Sequence, residues 1–143
     1  MINKNNHRSN CPISCSLDII GDKWTLIIIR DMMVFNKKTF KDFAQSNEKI
    51  ASNILSNRLK SLLKHKIIKK EKDPKNKKTN IYKLTNIGLD MAPIIIDLTL
   101  WSIKNIENSN LNQINLKKIL ENRSLAIETM KNNYKKGIPF REF

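Results

Sequence analysis

Between Ser46 and Tyr82 the chain changes its hydrophobic period, from helical to strand-like, and few folds use both halves of that change. ASNILSNRLKSLLKH, running from residue 51 to 65, places Ile54, Leu55, Leu59, Leu62 and Leu63 on one side of a helix and leaves Ser52, Asn53, Ser56, Asn57 and Lys60 on the other. Directly after it, IIKKEK and NIYKLT are rich in β-branched and aromatic residues. They flank the turn-forming group Asp73, Pro74, Lys75 and Asn76, which predicts a β-hairpin. Upstream, Thr39 is placed to cap a short helix, FKDFAQS, with Phe40, Phe43 and Ala44 inward, and Asn47 to Ile50 form the turn. Short helix, turn, amphipathic helix and basic-tipped hairpin together give the order of a winged helix-turn-helix.

The flanking segments read as further helices, so the fold class is mainly α with a small β-hairpin. Residues 1–10 are polar with no hydrophobic period and are expected to form a mobile arm. Pro12 suits a first helical turn, and Ile13, Leu17 and Ile20 then recur at helical steps up to Gly21. Asp22 is placed to cap DKWTLIIIRDMM, whose Trp24, Leu26, Ile27 and Ile28 mark the buried helix of the domain. After the hairpin, Thr85 caps a long apolar helix expected from about Asn86 to Asn108, with a kink at Pro93. A final helix carries a stripe of Leu116, Ile119, Leu120, Ile127, Met130 and Tyr134 and stops at Gly137 and Pro139. The expected organisation is thus an arm over 1–10, a winged helix domain over 11–108 and a helical extension over 109–143.

Charge narrows the function classes. Lys and Arg number 27 against 13 Asp and Glu, a formal charge of +14 in 143 residues, which favours a polyanionic partner. Lys, Asn and Ile all have A/T-heavy codons, so genome composition supplies part of that excess. Distribution says more than the total: from Lys60 to Lys83 there are ten lysines and only two acids, Glu71 and Asp73. No run approaches the roughly 20 uninterrupted apolar residues of a membrane span, and the polar opening MINKNNHRSN lacks the apolar core of a secretion signal, so a cytoplasmic protein is expected. Cys11 and Cys15 do not make a disulfide framework, and His7 and His65 do not make a metal motif. With glycine only at 21, 88 and 137 there is no phosphate-binding loop, so neither a cofactor nor an enzyme site is expected.

Side-chain chemistry nominates the contacts. An Asn amide pairs bidentately with adenine N6 and N7, and a Ser hydroxyl donates or accepts, so Ser52, Asn53, Ser56 and Asn57 suit a major-groove edge. Lys75, Lys77 and Lys78 at the hairpin tip are placed to neutralise phosphates, with Arg58, Lys60 and Lys64 flanking the helix. A merely solvated helix face would carry the same residue types; the adjoining turn and basic hairpin argue against it. Arg58 has a second reading, an ion pair within the domain. The alternative function is a nucleic-acid or nucleoid-binding protein that uses charge without sequence preference.

Three segments in order resemble one family. CPISCSLDIIGDKWTLIIIRDMM is similar to the opening of HxlR-type transcriptional regulators, EKIASNILSNRLKSLLKHKIIKK to their reading helix, and DPKNKKTNIYKLTNIGLDMAPIIIDLTLW to their wing and following helix. The resemblance covers about residues 11 to 105. It implies a homodimeric, MarR-like regulator that binds an inverted-repeat operator in double-stranded DNA. It also implies dimerisation through helices matching Cys11 to Ile20 and Asn86 to Asn108. Cys11 aligns with a cysteine that senses thiol oxidants or electrophiles in some members, and its place before a helix suits a stabilised thiolate. Cys15 is expected to pack against Trp24 or the partner. His65 and Lys66 depart from the family pattern, in which a turn glycine follows the helix. The tail from Leu111 lies outside the resemblance.

Overall fold

The computed structural model describes residues 1–2, 7–107 and 116–141, at 116–118 the backbone alone. Most of the expected arm, the expected helix end at Asn108, the start of the tail at Leu111 and the Leu116 side chain lie outside the described residues. The elements run α1 (Pro12–Ile20), α2 (Lys23–Phe35), α3 (Phe40–Ala44), α4 (Ser52–Lys64), β1 (Ile68–Lys72), β2 (Asn80–Leu84), α5 (Asn86–Leu89), α6 (Ala92–Asn105), α7 (Leu116–Glu121) and α8 (Arg123–Lys136).

At the centre lies α2. Its Ile28, Ile29, Met32, Met33 and Val34 are wholly buried, because an almost continuous apolar helix must be covered on more than one side. The cover comes from α1, α4, α6 and α8. The Asp22 carboxylate accepts the backbone N–H groups of Trp24 and Thr25 and so caps the start of α2. Thr39 and Asp42 form a reciprocal capping box at α3. That helix turns only Phe43 inward, where it meets Tyr82 edge to face at 6.2 Å. Phe40 and Ala44, expected inside, are exposed, because five residues of helix bury one narrow stripe.

β1 and β2 pair antiparallel in the register Ile68 with Leu84 through Lys72 with Asn80. At the tip, Asp73 Oδ1 accepts the N–H of Lys75 and Asn76 Oδ1 that of Lys78, so side chains make the turn that the Asp-Pro-Lys-Asn group predicts. The junction from α4 into β1 is a Schellman turn: Ile67 N–H donates to Leu62 C=O and Lys66 N–H to Leu63 C=O. Lys66 takes the left-handed conformation, φ 58°, that this motif demands. At the base of the hairpin, Thr85 Oγ1 donates to the carbonyls of Lys66 and Ile67. A Cβ on Gly88 would lie 2.3 Å from Ile67 C=O, so α5 approaches the wing as closely as only glycine permits.

Two expected helices are each divided. The Asn86–Asn108 helix breaks at Asp90 and Met91 and restarts as α6, in whose first turn Pro93 sits; proline there loses no helical hydrogen bond, so it marks a start and not a kink. By length and mean hydropathy alone, 1.3, Asn86–Asn105 would reach across a membrane, yet it carries Asp90 and Asp97 and packs on α2 and α8. The C-terminal stripe likewise splits at Asn122, whose side chain accepts the N–H of Leu125 and caps α8. Ile119 and Met130 are buried, as the spacing predicts, and Leu120 is exposed; Ala126 and Phe140, which the spacing does not single out, are fully buried. Gly137, φ 70°, ends α8.

Candidate nucleic-acid interface

α4 presents two chemically distinct faces. Leu55, Leu59 and Leu62 are buried against the body, with Ile54 and Leu63 half-buried beside them. Ser52, Asn53, Asn57, Lys60 and Lys64 are exposed and Ser56 is half-buried, so the structure brings together the polar side expected from the spacing. Arg58 stands apart. Its Nε lies 3.1 Å from Asp22 Oδ1 and its side chain is 38% exposed, which ties the middle of α4 to the cap of α2. Of the two readings open for Arg58, the structure displays the ion pair.

The approach to α4 is held by a buried charge. Asp31, 1% exposed on α2, is contacted by the Arg30 guanidinium, by Lys37 Nζ at 3.0 Å and by the Ser46 hydroxyl. Arg30 reaches on to Glu48 with paired bonds of 2.5 and 2.9 Å. Ser46 and Glu48 belong to the turn between α3 and α4, so two side chains of α2 fix that turn from below. Hydrogen bonding to Arg30 holds the Glu48 carboxyl down at about 2, against the opposing effect of burial. Sequence spacing gives no sign of this network, because its members are neither periodic nor adjacent.

On the hairpin, Lys75, Lys77 and Lys78 are all exposed at the tip, as expected. Lys70 and Lys72 on β1 and Lys49 in the α3–α4 turn are exposed as well and were missed by the sequence reading; the strand alternation that turns Ile68 inward would have flagged Lys69 instead. Lys69 and Lys83 both pair with Glu71, at 3.0 and 2.6 Å, which spends part of the wing's charge internally. The Glu71 carboxyl is lowered by those two ammonium groups.

Cys11 is exposed and occupies the N-cap of α1; its own N–H donates to Ser9 Oγ. Cys15 is half-buried and its thiol donates to the Ser9 carbonyl at 3.2 Å. Both thiols are free. No residue of α1 is buried, and Ile13 and Leu17 are 71% and 54% exposed. On α6, Ile95, Ile96 and Thr99 face the core while Ile94, Leu98 and Trp101 face outward. Among the described residues no cluster of His, Cys, Asp and Glu is suited to a metal.

The sequence model of the HxlR-like helix-turn-helix family matches residues 19–110. This chain belongs to that family. Among similar proteins, the HTH-type transcriptional regulator YdeP of Bacillus subtilis is 32% identical over 98 residues, 66% of this chain and 73% of YdeP. YybR of the same organism, also an HTH-type transcriptional regulator, is 28% identical over 99 residues, 69% of this chain and 78% of its own length. The structure of HypR, described as a redox regulator, superimposes in its oxidised form with a TM-score of 0.59 at 27% identity and covers 68% of this chain and 99% of HypR. The HxlR-like chain is therefore a DNA-binding regulator of transcription and not an enzyme. The winged arrangement of α3, α4 and the hairpin is the family's fold in this sequence.

Proposed function

We propose that this HxlR-like protein acts in the cytoplasm as a homodimer that reads an inverted-repeat operator through α4 and grips the flanking phosphates with its wing. The observation that carries the reading is the outward amide and hydroxyl face of α4, exposed beside a lysine-tipped hairpin. Ser52, Asn53, Ser56 and Asn57 supply base-edge contacts; each good bidentate pair discriminates by about 1–3 kcal/mol. Lys60, Lys64, Lys75, Lys77 and Lys78 supply phosphate contacts, joined by Lys49, Lys70 and Lys72. Arg58 serves chiefly to hold α4 against Asp22. Dimerisation uses the outward faces of α1 and α6, whose Ile13, Leu17, Ile94, Leu98 and Trp101 are exposed among the described residues. Two reading helices related by a two-fold axis then meet half-sites roughly 34–36 Å apart, or a multiple of that.

Cys11 is the proposed redox or electrophile sensor. It is exposed at the N-cap of α1, and the similarity to HypR points the same way. Cys15, with its thiol engaged by Ser9, is the packing cysteine.

Selection of bound sequences from a random duplex pool, run reduced and oxidised, tests the whole reading. A palindromic motif is expected. Asn53→Ala and Asn57→Ala relax base preference, whereas Lys77→Ala with Lys78→Ala weakens binding to every duplex and flattens the salt dependence by roughly 0.9 per lost phosphate contact. Cys11→Ser abolishes oxidant-driven release. Enrichment of no motif, with equal steep salt dependence on all duplexes, would favour the charge-only nucleoid binder instead.

A further inference from the structure

The helices beyond residue 110 lie outside the matched family region, yet they are not an appendage. Ala126 and Met130 of α8 and Phe140 beyond it have no exposure at all. Three hydrogen bonds fasten the end of this segment to the body at defined points. The Asn36 amide donates to Gly137 C=O at 2.7 Å, Phe140 N–H donates to Val34 C=O at 2.8 Å, and Tyr134 Oη accepts the N–H of Leu84 at 2.7 Å.

The third bond matters most, because of where Leu84 sits. β2 is paired with β1 along one edge. On its other edge the N–H groups of Tyr82 and Leu84 point the same way, since alternate residues of a strand share an edge. Tyr82 N–H donates to Lys38 C=O at 2.7 Å and Leu84 N–H to Tyr134. The unpaired edge of the wing is thus satisfied by two points from two segments, the link into α3 and the C-terminal helix. That link begins at Asn36, which Gly137 holds in the left-handed conformation at the end of α2. One C-terminal segment therefore touches both the entry to the helix-turn-helix and the base of the wing.

We infer that the segment from Ala126 to Phe140 is a clasp that sets the angle of the wing relative to α3 and α4, with Tyr134 as its positioning residue. The inference rests on the reading of α4 and the wing as the DNA-contacting pair. The clasp touches no DNA; it determines whether Lys75, Lys77 and Lys78 reach the phosphates while α4 is seated. Loss of the Tyr134 hydroxyl leaves the ring packed and the Leu84 N–H without its acceptor, which frees the wing's outer edge without emptying the core.

The test uses the full chain and a duplex selected by the wild-type protein. Tyr134→Phe is expected to bind it about tenfold more weakly at moderate salt, with a salt slope shallower by about one to two and faster amide exchange at Leu84. Its effect should largely vanish in the Lys77→Ala, Lys78→Ala background, because both changes remove the same wing contacts. Should the ring variant not fold, Asn36→Gly keeps the left-handed backbone, deletes the amide that holds Gly137, and should move the same readouts in the same direction. A lowered melting temperature with unchanged affinity and slope, or losses that add fully to those of the lysine variants, would overturn the clasp alone. A wild-type protein that selects no duplex would instead sink the DNA reading and the clasp's role together.

Discussion

Lys66, like Lys49 with φ 54°, has a backbone conformation at odds with its residue type. It holds φ 58° at the Schellman position after α4, where a left-handed backbone presses a Cβ toward a carbonyl. Lys66→Gly should therefore stabilise the fold by about 0.5–1 kcal/mol, the relieved strain being partly offset by the looser unfolded chain. Thermal unfolding would show a rise of about 1–4 °C, and Lys66→Val a fall. The departure from the family pattern at His65 and Lys66 is legible in the sequence. Its result, a Schellman turn closed with a strained lysine in it, needs the backbone angles. Arg58 shows the opposite limit: its position on the helix put it on the polar side, and only the fold reveals Asp22 within reach. A charged residue's partner is a matter of three-dimensional neighbours that periodicity does not encode.

At the level of elements, the order from α1 to β2 was legible because most starts carry local chemistry, at Pro12, Asp22, Thr39 and the Asp-Pro-Lys-Asn turn, while α4, with Ala51 at its N-cap and no capping side chain, shows by its apolar period. The breaks at Asp90 and Asn122 were not, because long apolar runs read as one helix until a neighbour decides where the chain must bend. The turn before α4 is held by Arg30 and Glu48, and that brace has a pH signature. A carboxyl whose folded pKa lies below its unfolded one binds fewer protons when folded, so its stabilising share is complete above pH 4.5 and drains away as the pH falls toward 2. Between those limits wild-type stability should decline with acid, and Glu48→Gln should lose stability at neutral pH while showing a flatter decline. Chemical denaturation at a series of pH values would read both slopes; parallel curves for the two proteins would refute the brace.

For the whole molecule, the proposed dimer rests on the outward faces of α1 and α6. Leu98→Glu together with Trp101→Glu should leave core packing intact, since Ile95, Ile96 and Thr99 provide it. Light scattering should then report a single chain of 16.7 kDa where the wild type gives two, with most affinity for a two-half-site duplex lost. A variant that stays dimeric would move the interface elsewhere. The division of the run MAPIIIDLTLW into a core face and an exposed face is visible only in the fold. The clasp carries a consequence for how the protein is made. Asn36 and Gly137 are 101 residues apart in the chain, so α2 leaves the ribosome long before the helix that shields it. During that interval the nascent polypeptide keeps one side of a greasy rod bare, and its yield in the cell should hinge on holding chaperones and on the tempo of translation downstream.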